Sequence, residues 1–158
     1  MSEDQDIVDR VRRGEKAAFT ELVRRHQKLV WHVVSRLLER EEDREDLCQE
    51  IFMKVFSRLD GFRFEAKLST WIASIAYRMS INYLKKQRKY HDTDLEQVSL
   101  SLSSDELPAD RQMDREHLHS HIQALIAGLP PQYRTMITLY HLEEMPYQEI
   151  AKVTGMPE

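Results

Sequence analysis

Only one cysteine, four glycines and five prolines occur among the 158 residues, and each scarcity removes a class of protein. A single thiol, Cys48, cannot close an internal disulfide, which fits a reducing cytoplasm. Nothing resembles a Gly-rich phosphate loop or a nucleophile elbow. No apolar run is long enough to cross a bilayer. Met1 to Asp6 is polar and acidic rather than a basic start followed by an apolar stretch, so neither a secretory signal nor direct membrane insertion is expected. An excess of basic charge is missing too: the formal net charge is −4, which argues against a general nucleic-acid coat. What remains is 41% hydrophobic and 32% charged, a balance that supports a folded chain. Its apolar positions recur at helical spacing almost throughout, so an all-α fold is expected.

Asp4 to Arg13 reads as a short amphipathic helix ended by Gly14, and Glu15 to Arg40 as a long one. Asp43 is the expected cap of a helix to about Leu59, in which Leu47, Ile51, Val55 and Leu59 recur every four residues. Asp60-Gly61 breaks it, and Phe62 to Leu68 forms a loop. Ser69 is the expected cap of a helix through about Lys89, with Trp71, Ile72, Ile75, Ala76 and Met79 buried. Tyr90 to Gln112 has no helical period and reads as a flexible, acidic interdomain linker. A second, smaller unit starts near Met113, with Leu118, Ile122, Leu125 and Ile126 as its first stripe, and Pro131 opens the next helix. Tyr133 to Glu158 reads as a helix-turn-helix with a tight turn at Thr154-Gly155. The chain ends at Glu158, where the second helix of such a motif begins, so the expected domain lacks its final recognition helix.

Three stretches carry candidate chemistry. Asp46, Gln49 and Glu50 share one helical face at spacings of three and four. By charge alone this is either a solvated face or a docking face for a basic or amide-rich helix. Cys48, between them, falls where a small core residue fits, with no base placed to activate it. From Phe62 to Tyr90 aromatics interleave with Arg63, Lys67, Arg78, Lys85, Lys86 and Arg88. That mixture suits base stacking and phosphate contact, or equally a core with a basic helix end. His117 and His121, one turn apart, are a minimal metal pair, but no further ligand set accompanies them and a solvated face is the plainer reading. The carboxylates of Glu39 to Glu50 lack the apolar surroundings that acid catalysis needs. No catalytic residue, metal site or cofactor is therefore expected.

Taken together, EDLCQEIFMKVF (Glu45 to Phe56), STWIASIAYRMSINYLKKQRK (Ser69 to Lys89) and LPPQYRTMITLYHLEEMPYQEIAKVTGMP (Leu129 to Pro157) resemble, in order and spacing, the extracytoplasmic-function class of bacterial RNA polymerase sigma factors. The resemblance implies two small helical domains: residues 1–90 for polymerase docking and minus-ten recognition and melting, a linker at 91–112, and residues 113–158 for minus-thirty-five recognition. It implies that Asp46, Gln49, Glu50, Phe52 and Phe56 dock on the clamp helices of the largest polymerase subunit. It makes the loop from Phe62 to Leu68, with Phe64 and Lys67, the capture site for a flipped base. On the following helix it places Ser69, Thr70, Ser74, Tyr77, Arg78, Asn82, Lys85, Lys86 and Arg88 against promoter DNA. Arg134, Tyr147 and Gln148 are then phosphate contacts of the second domain. Arg78 stands where family members often carry Asn, which bears on base preference. Core polymerase, promoter DNA and an anti-sigma factor are the implied partners, in a stress response. The rival expectation is a stand-alone helix-turn-helix regulator of duplex DNA.

Overall fold

The computed structural model describes residues 2–90 and 115–157; the expected linker lies outside them. Among the described residues there are seven α-helices and no strand. The first, α1 (Glu3–Arg12), is started by a capping box in which the Ser2 hydroxyl and the Gln5 side chain each accept from the other's backbone N–H. Three acids in its first turn complement the helix dipole. Ile7, Val8 and Val11 are its buried face. Gly14, at φ +90°, turns the chain in a backbone region that other residues rarely adopt.

The molecule is organised around α2 (Lys16–Leu37). Its buried positions, Leu22, His26, Leu29, Val30, Val33, Val34 and Leu37, follow the three-four spacing of one helical face. Packed on it are α1, α3 (Glu41–Arg58), α4 (Leu68–Tyr90) and, from the C-terminal part, α6 (Pro131–Leu142). Each Leu or Ile fully buried here contributes about 1.5–3 kcal/mol. Two expected caps do not cap: α3 starts two residues before Asp43 with no side-chain cap, and α4 starts at Leu68, one residue before Ser69. In place of a cap on α4, the Leu68 N–H donates to Asp4 Oδ2 at 3.3 Å, so α1 supplies the acceptor.

The C-terminal part consists of α5 (Arg115–Ala127), α6 and α7 (Tyr147–Thr154). No residue of α5 is buried, and its Leu118, Ile122 and Leu125 are exposed. The turn between α6 and α7 is closed by Met145 N–H on the Leu139 carbonyl. Leu139, Met145, Ile150 and Val153 make the core of this pair. Gly155 ends α7 at φ +74°, as the tight turn read from Thr154-Gly155 requires. These helices are packed against the N-terminal four: α6 on α2, and α7 on α4. Polar contacts between described residues also cross the junction. His32 Nδ1 meets Glu143 Oε1 at 2.7 Å, Arg134 Nη1 donates to the Arg36 carbonyl at 3.0 Å, and Arg36 donates to Gln123 Oε1.

His26 is the one histidine in the α2 stripe. Its Nδ1 lies 2.9 Å from the Leu22 carbonyl, and burial holds its pKa below the ordinary value, with the carbonyl opposing. The folded state therefore resists a proton that the unfolded chain takes up at about pH 6.5. This contribution is intact above that pH and is lost progressively as pH falls below it, until the lowered folded pKa is passed. Urea midpoints at pH 7.5 and 5.5 are expected to separate more for the native chain than for His26→Gln; equal separations would refute the assignment.

Candidate functional site

The face of α3 turned from the core is a continuous column. Asp46, Gln49 and Glu50 are all exposed, and two large apolar side chains continue the same face, Met53 at 71% and Phe56 at 57% exposure. Phe56 is braced edge-on by Phe19 of α2, with ring centroids 5.0 Å apart. An open depression lined by Phe19, Thr20, Val23, Arg24 and Gln27 extends the surface onto α2. Phe52 does not join it. At 9% exposure it lies in the core with Leu47, Ile51 and Val55, because it falls on the shoulder of the apolar stripe. Met53 is the residue that the sequence reading passed over, although it stands seven positions after Asp46, two helical turns on. Cys48 is half-buried; burial pushes its thiol up to about 11, which keeps it protonated.

The loop before α4 is built on a cluster of rings tilted against one another. Phe62 is buried against Trp71 at 5.0 Å, and Phe64 lies on Phe62 at 4.7 Å. Phe64 has φ +61°, a left-handed backbone that costs a bulky residue about 1–3 kcal/mol. Such strain persists only where the surroundings impose it. They do so here through Arg12 of α1, whose guanidinium lies 5.5 Å from the Phe64 ring centroid. The same side chain donates to the carbonyls of Leu59 and Phe62 at 2.9 and 2.6 Å. No motif in the sequence marks Arg12; only the contact across 50 residues reveals it. Lys67 is exposed at the loop's end.

Along α4, Arg78, Asn82, Lys85, Lys86 and Arg88 are exposed, and Ser69, Ser74 and Tyr77 are half-buried. Ser74 spends its hydroxyl on the Trp71 carbonyl at 2.7 Å. Burial raises the Tyr77 phenol pKa. Thr70 departs from the expectation of a DNA-facing side chain: it is 2% exposed, and its hydroxyl is buried without a hydrogen-bond partner. The reason is that α4 is buried on two columns. Leu68, Ile72, Ile75 and Ala76 form the first, against α2 and α3. Thr70, Ala73 and Ser80, roughly a third of a turn away, form the second, and α4 also packs on α7.

Of the three C-terminal positions, Tyr147 and Gln148 are exposed. Tyr147 stacks on Tyr140 with centroids 5.0 Å apart and an interplanar angle of 6°. Its phenol pKa is raised, first by the hydrogen bond with Tyr140. Arg134 differs. It is half-buried and bonded to the Arg36 carbonyl, so in this arrangement it holds α2 rather than facing solvent. Burial lowers its pKa, and the charge of Glu39 opposes the shift. Among the described residues no group of three or more His, Cys, Asp or Glu is arranged to hold a metal ion.

Two family models match the chain: Sigma-70 region 2 over residues 22–90, and Sigma-70, region 4 over residues 120–158. The chain is 31% identical to the RNA polymerase sigma-H factor of Pseudomonas aeruginosa, over 99% of this chain and 85% of that protein. It is 32% identical to the ECF RNA polymerase sigma-E factor of Haemophilus influenzae, over 98% and 85% of the two chains. Against the ECF RNA polymerase sigma-E factor of Escherichia coli (strain K12) the identity is 33%, over 98% and 84%.

Proposed function

The chain belongs to the ECF class of RNA polymerase sigma factors, and on that premise we propose how its surfaces divide the work. As a member it is a transcription initiation factor that directs polymerase to promoters and carries out no catalytic step itself. We assign residues 1–90 to polymerase docking and minus-ten reading, residues 91–112 to a linker, and residues 113–158 to minus-thirty-five reading. The observation that carries the docking assignment is the outward column of α3. There, acids and an amide stand beside two exposed apolar anchors, Met53 and Phe56. That composition, a polar rim around a large apolar side chain, suits a tight interface, and its occupant is the clamp-helix pair of the largest polymerase subunit. Phe52 supports this surface from the core instead of touching the partner. The exposed basic and amide side chains of α4, Arg78, Asn82, Lys85, Lys86 and Arg88, take the promoter strand, and the loop carrying Phe64 takes an unpaired base.

An anti-sigma factor is the proposed regulator. It would cover the α3 column, since exposed anchors that serve polymerase also serve a competitor. The site of action is the cytoplasm, where polymerase is; no helix among the described residues is long and apolar enough to cross a membrane. A stand-alone duplex regulator is not favoured, because it leaves the α3 column without a purpose. The test is gel filtration of the chain with purified bacterial core RNA polymerase, followed by promoter selection with the complex. Co-elution and recovery of a common minus-ten sequence are expected. A well-folded chain that stays apart from core polymerase yet shifts duplex DNA alone would overturn the proposal.

A further inference from the structure

The loop that carries Phe64 is held at both ends by one helix, α1, which precedes the stretch matched to region 2. At the near end, Arg12 donates to the Leu59 and Phe62 carbonyls and lies against the Phe64 ring. At the far end, Asp4 accepts from the N–H of Leu68, the first residue of α4. The two anchoring residues are eight positions apart on α1, a little over two turns along it and about 80° apart around it. Asp9, one turn before Arg12, has its carboxylate 4.0 Å from the Arg12 guanidinium and adds a second restraint on it. Helix α1 is itself fixed, by the Ser2–Gln5 capping box and by Arg10 bonding to Glu15 at 2.9 Å and Glu21 at 3.3 Å. An irregular loop with a left-handed phenylalanine does not keep one shape unaided. Here one guanidinium nitrogen donating to two carbonyls, a ring contact and a helix-start acceptor fix it.

We propose that Arg12 and Asp4 are positioning residues for promoter reading: α1 clasps the loop and sets the pose in which the Phe64 ring meets an unpaired base of the minus-ten strand. The proposal rests on the sigma-factor reading given above. A guanidinium suits the near end because its Nη2 alone donates to both carbonyls while the delocalised cation lies 5.5 Å from the Phe64 ring centroid; an ammonium is a compact, strongly hydrated charge without that reach. At the far end only an acceptor is needed, so an amide serves where a methyl group does not.

The experiment uses the full chain assembled with core RNA polymerase and a randomised pool of single-stranded DNA. Selection with the native chain defines the preferred strand, and the base read by the loop is the one whose replacement by an abasic site weakens binding most. Arg12→Ala is expected to bind that strand about tenfold more weakly and to lose most of the penalty for the abasic site. Its affinity for core polymerase should stay within about twofold of the native chain. Arg12→Lys should recover little, Asp4→Ala should show a milder form of the same loss, and Asp4→Asn should recover most of it. Hydrogen exchange supplies a reading independent of DNA: amides of residues 62–68 should lose protection in Arg12→Ala while those in the middle of α4 keep theirs. Native discrimination at the abasic position in both alanine variants would overturn the proposal. So would an even loss at every position, accompanied by lost protection throughout α4. If the native chain fails to bind core polymerase, the sigma-factor reading fails first and takes this inference with it.

Discussion

Replacing Glu50 and Phe56 together with alanine is expected to weaken binding to core RNA polymerase about a hundredfold, a change of about 2.8 kcal/mol. Both side chains stand on the outward column of α3, and neither belongs to the core. Phe56 carries most of the effect, because a large apolar group more than half open in the free protein gains most by being covered. Glu50 adds a charged contact whose partner is left bare when it is removed. Folding should be little affected. The edge-on contact with Phe19 is the main intramolecular interaction lost, and such pairs contribute about 0.5–1.5 kcal/mol beyond the area they bury. Phe52→Ala is the informative contrast. That ring is buried, so its truncation should lower stability by about 3–5 kcal/mol, while the folded fraction docks nearly normally. Binding titrations on immobilised polymerase with parallel urea denaturation separate the two. Unchanged affinity in the double variant would move the docking surface off α3.

Arg134→Glu is expected to release the C-terminal helices from α2. The native guanidinium donates to the carbonyl of Arg36, in the last turn of α2, where helix carbonyls lack intrahelical partners and the dipole is negative. A carboxylate at that point faces the carbonyl and the charge of Glu39 instead of complementing them. Losing a charged hydrogen bond and gaining a repulsion in a half-buried position costs about 3 kcal/mol. Among the described residues the junction's other polar contacts include His32 with Glu143 and Arg36 with Gln123. Small-angle scattering should show a larger radius of gyration for the variant, with helix content unchanged by circular dichroism; an unchanged radius would defeat the prediction. Arg134→Lys, which keeps the charge, should stay closer to the native value. The same side chain is the expected phosphate contact of the second domain. In this arrangement that side chain is half-buried against α2, with Nη1 on the Arg36 carbonyl.

The helices were legible in the sequence because apolar spacing at three and four residues is imposed by burial on one face. Leu47, Ile51, Val55 and Leu59 show it, and all four are buried. The breaks were legible for an equally local reason: Gly14 and Gly155 occupy left-handed backbone. The caps at Asp43 and Ser69 were not, since whether a polar residue caps or sits within the first turn depends on where the preceding chain comes from. At α4 the acceptor comes from α1, 64 positions earlier. Phe52 is buried where an outward side chain was expected, and Met53 beside it is exposed, because adjacent residues on a helix point about 100° apart and composition alone does not show which one reaches the core. Arg12, Arg134 and the second buried column of α4 were hidden for a further reason. Each is defined by a partner distant in the chain, and small residues such as Ala73 and Ser80 leave little hydrophobic signal.

The double burial of α4 bears on how such a factor diverges. Thr70, Ala73 and Ser80 on one side, and Leu68, Ile72, Ile75 and Ala76 on the other, are held by packing, where altered volume is felt at once. The outward sector through Arg78, Asn82 and Lys85 is exposed, and substitutions there usually stay within about 0.5 kcal/mol of neutral for folding. On the proposed division of surfaces, drift in minus-ten preference is channelled into that strip of α4. Descendants of a duplicated copy can come to serve separate sets of genes by changing a few side chains in that strip, while the fold they share stays the same.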